Sequence, residues 1–139
     1  MVEEPLDAAL TTYLRTQMPF ADLLAIDVHV SSPERVVCTA SWRPEVCTTM
    51  GALHGGFLMA VADSVGALCA VNNLPGGVRT TTIESKTNFV RGIREGQVTF
   101  TSTPVHVGRT TIVLQTDATD ERGKLVTRTT QTQAVLAAG

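Results

Sequence analysis

Residues 51–70, GALHGGFLMAVADSVGALCA, decide the fold of this chain. From Phe57 to Val71 the apolar side chains point in every direction around a helix, and a helix that is apolar all round is buried on all sides. Pro75 and the two glycines after it end the pattern. The sequence therefore predicts a central helix of about 17 residues, roughly 25 Å long, which the rest of the chain must enclose.

Four β-rich stretches follow this helix, at residues 79–91, 97–107, 110–119 and 124–136. They are rich in Thr, Val and Ile, and short glycine-bearing segments separate them, so they are predicted to form an antiparallel meander. Strands of this length span about 33 Å, enough to wrap around the helix. Pro104 in the second stretch indicates an edge position or a bulge, because proline has no N–H to donate.

The residues before the central helix predict one further helix and two further strands. Apolar residues spaced three and four apart favour an amphipathic helix at residues 4–17, and alternating patterns at 23–30 and 35–42 favour two antiparallel strands. The predicted architecture is α+β: a curved antiparallel sheet wrapped around a central buried helix.

Length and composition restrict the class of protein. The chain has 139 residues, which predicts one domain over residues 1–139, and its content of 43% hydrophobic and 17% charged residues is that of a globular protein. A net charge of −2 argues against nucleic-acid binding, which requires a basic face. No secretory signal or membrane span is recognisable, so a cytoplasmic location without membrane contact is expected.

Cysteines and histidines give no metal or disulfide pattern. Cys38, Cys47 and Cys69 lack CxxC spacing and are interpreted as reduced thiols. The three histidines are also without metal-ligand spacing, so no metal is expected.

The start of the central helix is a candidate site for a developing negative charge. Gly55 and Gly56 follow His54, and the first N–H groups of a helix have no partners within it. Together with the helix dipole they can bind a carbonyl oxygen that becomes an oxyanion. A tight turn that requires glycine is the alternative interpretation.

Asp63 is the only acidic or basic residue between His54 and Arg79, and it lies in the middle of the helix. A carboxylate there must be protonated, strongly hydrogen-bonded or open to a wet cleft, because burial of an unpaired charge is costly. Buried titratable groups beside a cleft are enriched at functional sites. The alternative is an Asp bonded to backbone groups of a neighbouring element.

Helix geometry separates these two features within one chain. Asp63 follows His54 by nine residues, and nine steps of about 100° place them on opposite faces. If two copies pack with antiparallel helices about a two-fold axis, Asp63 of one copy can face the Gly55 amide of the other. Such a two-fold dimer would contain two composite sites at once.

Three segments carry a resemblance to a known family. Residues 51–70, TNFVRGIREGQV at 87–98 and HVGRTTIVLQTDATDERGKLV at 106–126 resemble the hotdog-fold acyl-CoA thioesterases of the phenylacetate-degradation and 4-hydroxybenzoyl-CoA thioesterase type. The resemblance covers residues 40 to 135. It implies hydrolysis of an acyl-CoA to a carboxylic acid and CoA, without a cofactor, in a homo-oligomer that is a dimer or a tetramer of dimers, with active sites at the subunit interface.

The resemblance also implies roles for individual residues. The Gly55 amide would polarise the thioester carbonyl, with His54 shaping the loop or contacting the substrate. Asp63 would act as general base or as nucleophile. Thr82 matches a position near the attacking water, although an ordinary strand Thr is an equal alternative.

Two positions depart from the family pattern. Thr48 stands where relatives carry Asn or Gln, and a hydroxyl cannot offer the paired donor and acceptor of an amide. Ala67 stands one turn after Asp63, where some relatives have Ser or Thr.

Substrate-binding residues follow from the same resemblance. Arg91, Arg109 and Thr110 match positions that contact the nucleotide part of CoA, and Arg is suited to phosphate because its fork binds two oxygens. The acyl pocket, suited to a medium-chain or aromatic group, would be lined by Phe57, Leu58 and Val61.

The main alternative function is a non-catalytic hotdog module that binds acyl-CoA, favoured by Thr48 and Ala67 and opposed by Asp63. A hydratase is disfavoured because no Asp and His stand together in a loop before a helix. A nucleophile elbow at Ser64 is disfavoured because no strand precedes it.

Overall fold

A long helix lies against one face of a six-stranded antiparallel sheet in the computed structural model, which describes residues 2–137. The elements, in chain order, are α1 Ala8–Gln17, α2 Pro19–Leu23, β1 Asp27–Ser31, β2 Val36–Ser41, α3 Gly55–Val71, β3 Arg79–Phe89, β4 Gln97–Val107, β5 Thr111–Thr119 and β6 Leu125–Leu136. The sheet is open, with the order β1-β2-β4-β5-β6-β3. Within the described residues, no helix has the length and apolar character needed to cross a membrane.

The core lies between α3 and the middle strands. Val61 and Val65 of α3 have no exposed surface, and neither do Phe100 of β4 and Leu114 of β5. Burial of such apolar side chains is the main stabilising contribution to a fold of this kind. The predicted fold class, a curved antiparallel sheet around a central buried helix, is therefore confirmed.

The predicted four-strand meander is wrong at its first strand. β4, β5 and β6 are consecutive neighbours, but β3 pairs with β6 at the far edge of the sheet. The segment at residues 90–96 is therefore not a hairpin turn. It crosses under the start of α3, where the Leu53 N–H donates to the Ile93 carbonyl at 2.8 Å. Seven residues reach about 23 Å, enough to cross the intervening strands.

Pro104 lies at a bulge, as one of its two predicted alternatives required. The pairing of β4 with β5 shifts register between Pro104 and His106. The edge alternative also holds locally, although β4 lies between β2 and β5 in the order of the sheet. β2 pairs with β4 only as far as Ser102, so no strand needs a donor from Pro104 on that side.

The N-terminal elements differ in their bounds from the prediction. The first helix begins at Ala8 rather than residue 4, because Asp7 caps it by accepting from the Leu10 N–H at 2.9 Å. A short second helix, α2, precedes the strand predicted at 23–30 and overlaps it only at Leu23. Pro19 opens α2, a position that suits proline, and the strand begins only at Asp27.

β3 leaves one edge of the sheet unpaired. It is 11 residues long and bonds only to β6. The side chains of Ile83 and Phe89 are 62% and 53% exposed. A long uncovered edge strand is a template for pairing with another chain.

Candidate active site

A closed loop, residues 47–53, precedes the start of α3. Cys47 and Leu53 form an isolated antiparallel bridge across its base. At its tip, the Trp42 indole N–H donates to the Gly51 carbonyl at 2.8 Å. Met50 precedes this glycine with a φ of 66°, a left-handed conformation in which the chain reverses. These contacts fix the position from which His54 enters the helix.

His54 is the N-cap of α3. Its Nδ1 accepts from the Gly56 N–H at 2.7 Å. Because a backbone N–H can only donate, the neutral ring carries its proton on Nε2. Among the described residues, nothing accepts from the Gly55 N–H, which is left available at the positive end of the helix. His54 therefore shapes the turn that presents this amide.

Phe89, at the end of β3, covers Gly55. A Cβ at position 55 would lie 3.1 Å from the Phe89 ring, so the close approach favours glycine there. Next to it is a shallow groove of about 300 Å³, here called the Gly55 groove, which is lined by Leu53, Gly55, Leu58, Phe89, Val90 and Arg91.

Asp63 is half-buried and held by side chains from the far edge of the sheet. Its Oδ1 accepts from the Thr82 hydroxyl of β3 at 3.0 Å and from Gln131 Nε2 of β6 at 3.1 Å. Within residues 2–137 its Oδ2 has no hydrogen-bond partner. The carboxylate is therefore oriented by two donors on one oxygen, and the donors are side chains rather than the backbone groups of the alternative interpretation.

Two glutamines at this site were missed by the sequence reasoning. Gln131 bonds to Asp63, and Gln133 Nε2 donates to the Thr82 hydroxyl oxygen at 2.7 Å. Both glutamines are buried. The TQTQ repeat at residues 130–133 was the available signal, because alternate residues of a strand share a face and an inner face is normally apolar.

Gly55 and Asp63 are too far apart to act on one carbonyl within a subunit. Eight residues of helix separate them, which corresponds to about 12 Å along the axis. Thr82 contacts the Asp63 end of this interval, and Phe89 covers the Gly55 end. The edge strand β3 therefore touches both halves of the candidate site.

The remaining predicted residues lie in different places. Thr48 is exposed in the closed loop, and its N–H donates to the Ala52 carbonyl at 2.8 Å. Leu58 lines the Gly55 groove, whereas Val61 has no exposed surface and lines none of the three grooves described here. Phe57 lines a separate groove on the other side of His54.

This second groove, here called the Phe57 groove, has a volume of about 340 Å³. Its walls are mainly apolar, and it reaches His54 and Gly56. An apolar concave surface beside polar groups is typical of a small-molecule site. The apolar walls are formed by Phe20, Leu24, Val46, Cys47, Phe57 and Ala60.

Charged residues of both signs line a third groove of about 350 Å³, here called the arginine groove, with Glu95, Asp120 and Glu121 alongside its basic side chains. Arg91 lines both this groove and the Gly55 groove, and its Nε lies 4.0 Å from Asp120 Oδ2. Arg109 and Thr110 are exposed at the opposite end of the sheet, in the turn between β4 and β5. The cations of the arginine groove are Arg91, Arg94, Arg122 and Lys124.

Three other nucleophiles, Cys38, Cys69 and Ser64, are poorly suited to catalysis. Burial, together with Asp27, raises the pKa of the Cys38 thiol to about 12, and burial also raises the pKa of Cys69. The Ser64 hydroxyl donates to the Ala60 carbonyl of its own helix at 2.9 Å. The part of the chain that the structure describes contains no group of three His, Cys, Asp or Glu side chains able to hold a metal.

Known proteins are similar to this chain in both sequence and fold. Over 86 residues, or 62% of this chain, the sequence is 34% identical to 1,4-dihydroxy-2-naphthoyl-CoA hydrolase of Escherichia coli. Over 99 residues, or 71% of this chain, it is 36% identical to a Vibrio cholerae protein that carries the provisional name of an esterase. Each match spans 63% of the relative's length.

Solved structures show the same fold. A thioesterase of Haemophilus influenzae superposes with a TM-score of 0.87 at 24% identity, over 98% of this chain and 94% of that one. A thioesterase protein of Streptococcus pneumoniae, solved with coenzyme A, gives a TM-score of 0.79 at 24% identity, over 89% of this chain and 98% of that one.

The family model of the Thioesterase superfamily matches residues 50–127, which include α3, β3, β4 and β5. The match contains the helix start and Asp63, whereas Gln131 and Gln133 lie beyond it. The expected enzyme class, a thioester hydrolase, is thereby confirmed at the level of the family. The chain belongs to the Thioesterase superfamily.

Proposed function

We propose that the chain hydrolyses an aromatic or medium-chain acyl-CoA at a site shared by two subunits, with Asp63 of one subunit and the Gly55 amide of the other. The observation that carries the proposal is the asymmetry of the Asp63 carboxylate. Two donors hold Oδ1, while Oδ2 has no partner in the described chain. A base or nucleophile needs such a fixed group with one free oxygen.

The reaction can proceed in two ways from this arrangement. As a base, Oδ2 removes a proton from water while the water oxygen attacks the thioester carbonyl. As a nucleophile, Oδ2 attacks the carbonyl itself, and water then hydrolyses the resulting mixed anhydride. In both cases the C–S bond breaks, the CoA sulfur leaves and takes up a proton, and the Gly55 N–H donates to the carbonyl oxygen as it becomes negative.

The unpaired edge of β3 supports the proposed dimer. Two such edges pairing antiparallel about a two-fold axis near Ser85 bring Thr82 of one chain close to the Phe89 end of the other. Thr82 bonds to Asp63, and the Phe89 ring lies over Gly55. This pairing would make two composite sites, and association of two such dimers into a tetramer would leave them unchanged.

The grooves suggest how the substrate lies. The phosphates of CoA would bind in the arginine groove, and Arg91 would hold them where this groove meets the Gly55 groove. Arg109 and Thr110 of the partner subunit would approach the same region, because antiparallel pairing brings opposite sheet ends together. The acyl group would occupy the Phe57 groove. A bicyclic aromatic acyl group is supported by the relative that hydrolyses 1,4-dihydroxy-2-naphthoyl-CoA.

Thiol release from a panel of acyl-CoA thioesters tests the activity. The panel contains acetyl, medium-chain, long-chain, phenylacetyl and hydroxybenzoyl thioesters, and a thiol reagent detects free CoA. We expect the highest kcat/KM with a medium-chain or aromatic acyl group. Binding without turnover across the panel would contradict the proposal and favour a non-catalytic acyl-CoA-binding module.

Mixed dimers test the composite site. We expect subunits carrying Asp63→Asn and subunits carrying Gly55→Pro each to be inactive alone, because the first lacks the base and the second lacks the amide N–H. A dimer of one of each retains one intact site, so co-expressed chains with different affinity tags should recover about half the activity of a wild-type dimer. If both groups act within one subunit, the mixed dimer has no intact site and stays inactive.

Arg91→Ala should raise KM for acyl-CoA about tenfold, because a charge-assisted hydrogen bond to phosphate is lost. The KM for the matching acyl-pantetheine thioester, which lacks the nucleotide, should change little. Arg128→Ala is the control, since Asp117 already engages the Arg128 guanidinium at 2.8 Å. An equal rise in KM for both substrates would contradict a phosphate role for Arg91.

A further inference from the structure

Strand β6 carries an unusual polar face towards α3. Gln131 and Gln133 have at most 1% of their surface exposed, on a sheet face where β4 and β5 present Phe100 and Leu114. Burying an amide side chain is unfavourable unless its donors and acceptor are used. Packing alone therefore does not explain why two glutamine side chains are buried on this face.

The Gln131 side chain packs against α3 at Asp63 and Gly66. Its Nε2 is 3.1 Å from Asp63 Oδ1 and 3.4 Å from the Asp63 carbonyl oxygen. Because both of these atoms are acceptors, the amide can only present its NH2 group to them. Its Oε1 is buried without a hydrogen-bond partner in the described chain.

Gly66 makes room for this placement. A Cβ at position 66 would lie 1.9 Å from Gln131 Oε1 and 2.5 Å from Gln131 Cδ. Any side chain there would push the amide off the helix. The glycine and the glutamine are thus required together.

Gln133 contacts Thr82, which is the second donor to Asp63 Oδ1. Its Nε2 donates to Thr82 Oγ1 at 2.7 Å, and the Thr82 hydroxyl donates to Asp63 Oδ1 at 3.0 Å. A hydroxyl has one proton, so a donor arriving from Gln133 leaves that proton for Asp63. The two glutamines control both hydrogen bonds to Oδ1.

We propose that Gln131 and Gln133 are positioning residues that fix the plane of the Asp63 carboxylate, so that Oδ2 faces the substrate, and that Gly66 is needed for Gln131 to do so. The inference rests on the proposed function of Asp63. It assigns Gln131 and Gln133 a role in kcat rather than in substrate binding, because neither lines any of the three grooves described above.

Kinetics of near-isosteric variants give the first test. Gln131→Met keeps the length of the side chain but removes the donor, and it should lower kcat about tenfold or more with KM within twofold of the wild type. Gln133→Met should lower kcat less, because Thr82 can still donate. Gln115→Met on β5 is the control, and its kcat should not change. A rise in KM at unchanged kcat would overturn the proposal.

The coupling of Gly66 with Gln131 gives the second test. Gly66→Ala alone should lower kcat about as much as Gln131→Met, because its Cβ displaces the amide. In a Gln131→Ala background the space is open, and Gly66→Ala should cause no further loss. Additive losses in the double variant would contradict the proposed contact.

A spectroscopic measurement makes the inference independent of turnover. The side-chain NH2 resonances of Gln131, identified by their loss in Gln131→Met, should shift in Asp63→Ala. Absence of this shift would overturn the proposal even in an active enzyme. Inactivity of the wild-type chain on every thioester, with the shift present, would instead contradict only the proposed function.

Discussion

Asp63→Asn should lower kcat for thioester hydrolysis by about 10³-fold, the usual scale for loss of a positioned base or nucleophile. The fold should be unaffected for a specific reason. Thr82 and Gln131 both donate to Oδ1, and the Asn carbonyl oxygen can take the place of that atom. The amide NH2 group then replaces only Oδ2, which has no partner in the described chain. Free-thiol release in pre-steady-state and steady-state assays measures the loss.

Ser64→Ala is the matched control for Asp63→Asn. Ser64 is the next residue on the same helix, but its hydroxyl donates back to the Ala60 carbonyl. We expect kcat within about twofold of the wild type, since this bond closes within the helix. Thermal melting and size-exclusion chromatography should give the same result for both variants and the wild type. If Asp63→Asn had the kcat of the wild type, Asp63 would be neither the base nor the nucleophile of the reaction.

Gly55→Pro should lower kcat by about 10²-fold or more, since it deletes one hydrogen-bond donor to the developing oxyanion. Proline is suited to this position, because Gly55 is the first residue of α3 and its N–H is unused. The preceding residue also permits it. His54 has φ −65° and ψ 135°, the extended conformation that a residue before proline prefers.

Comparison with Gly55→Ala distinguishes the loss of the N–H in Gly55→Pro from the steric effect of an added side chain. Alanine adds the same Cβ next to the Phe89 ring but keeps the donor. Phe89 is about half-exposed and can move aside, so Gly55→Ala should retain most of the activity that Gly55→Pro loses. Parallel kcat measurements on the two variants decide the point. Equal losses would mean that the ring contact, and not the amide, is what matters at position 55.

The sequence alone was sufficient for the central helix, because its burial pattern depends on local periodicity. α3 begins at Gly55 and ends at Val71, the region that its apolar residues indicate. The position of β3 could not be predicted in this way. A strand that crosses to the far edge and a strand that forms a hairpin have the same alternating pattern, and only tertiary packing distinguishes them.

The same distinction between local pattern and tertiary packing applies to the residues of the candidate site. Asp63 and the helix-start glycines were recognisable, because a lone carboxylate in an apolar helix and a glycine pair at a helix start are local signals. Gln131 and Gln133 were not recognised, since their role depends on β6 lying beside β3. Their contact with Asp63 spans 68 residues of sequence. No local pattern reports a contact of that range.

The charged residues on the exposed edge of β3 bear on the register in which two copies of this strand would pair. Glu84 and Lys86 are both exposed near the middle of this strand, on either side of Ser85. In an antiparallel pair of identical strands centred there, each Glu84 lies opposite the other chain's Lys86, and opposite charges at facing positions are favourable. A one-residue slip loses both pairs. In the proposed dimer, these two charge pairs would favour this register of β3 over the neighbouring ones.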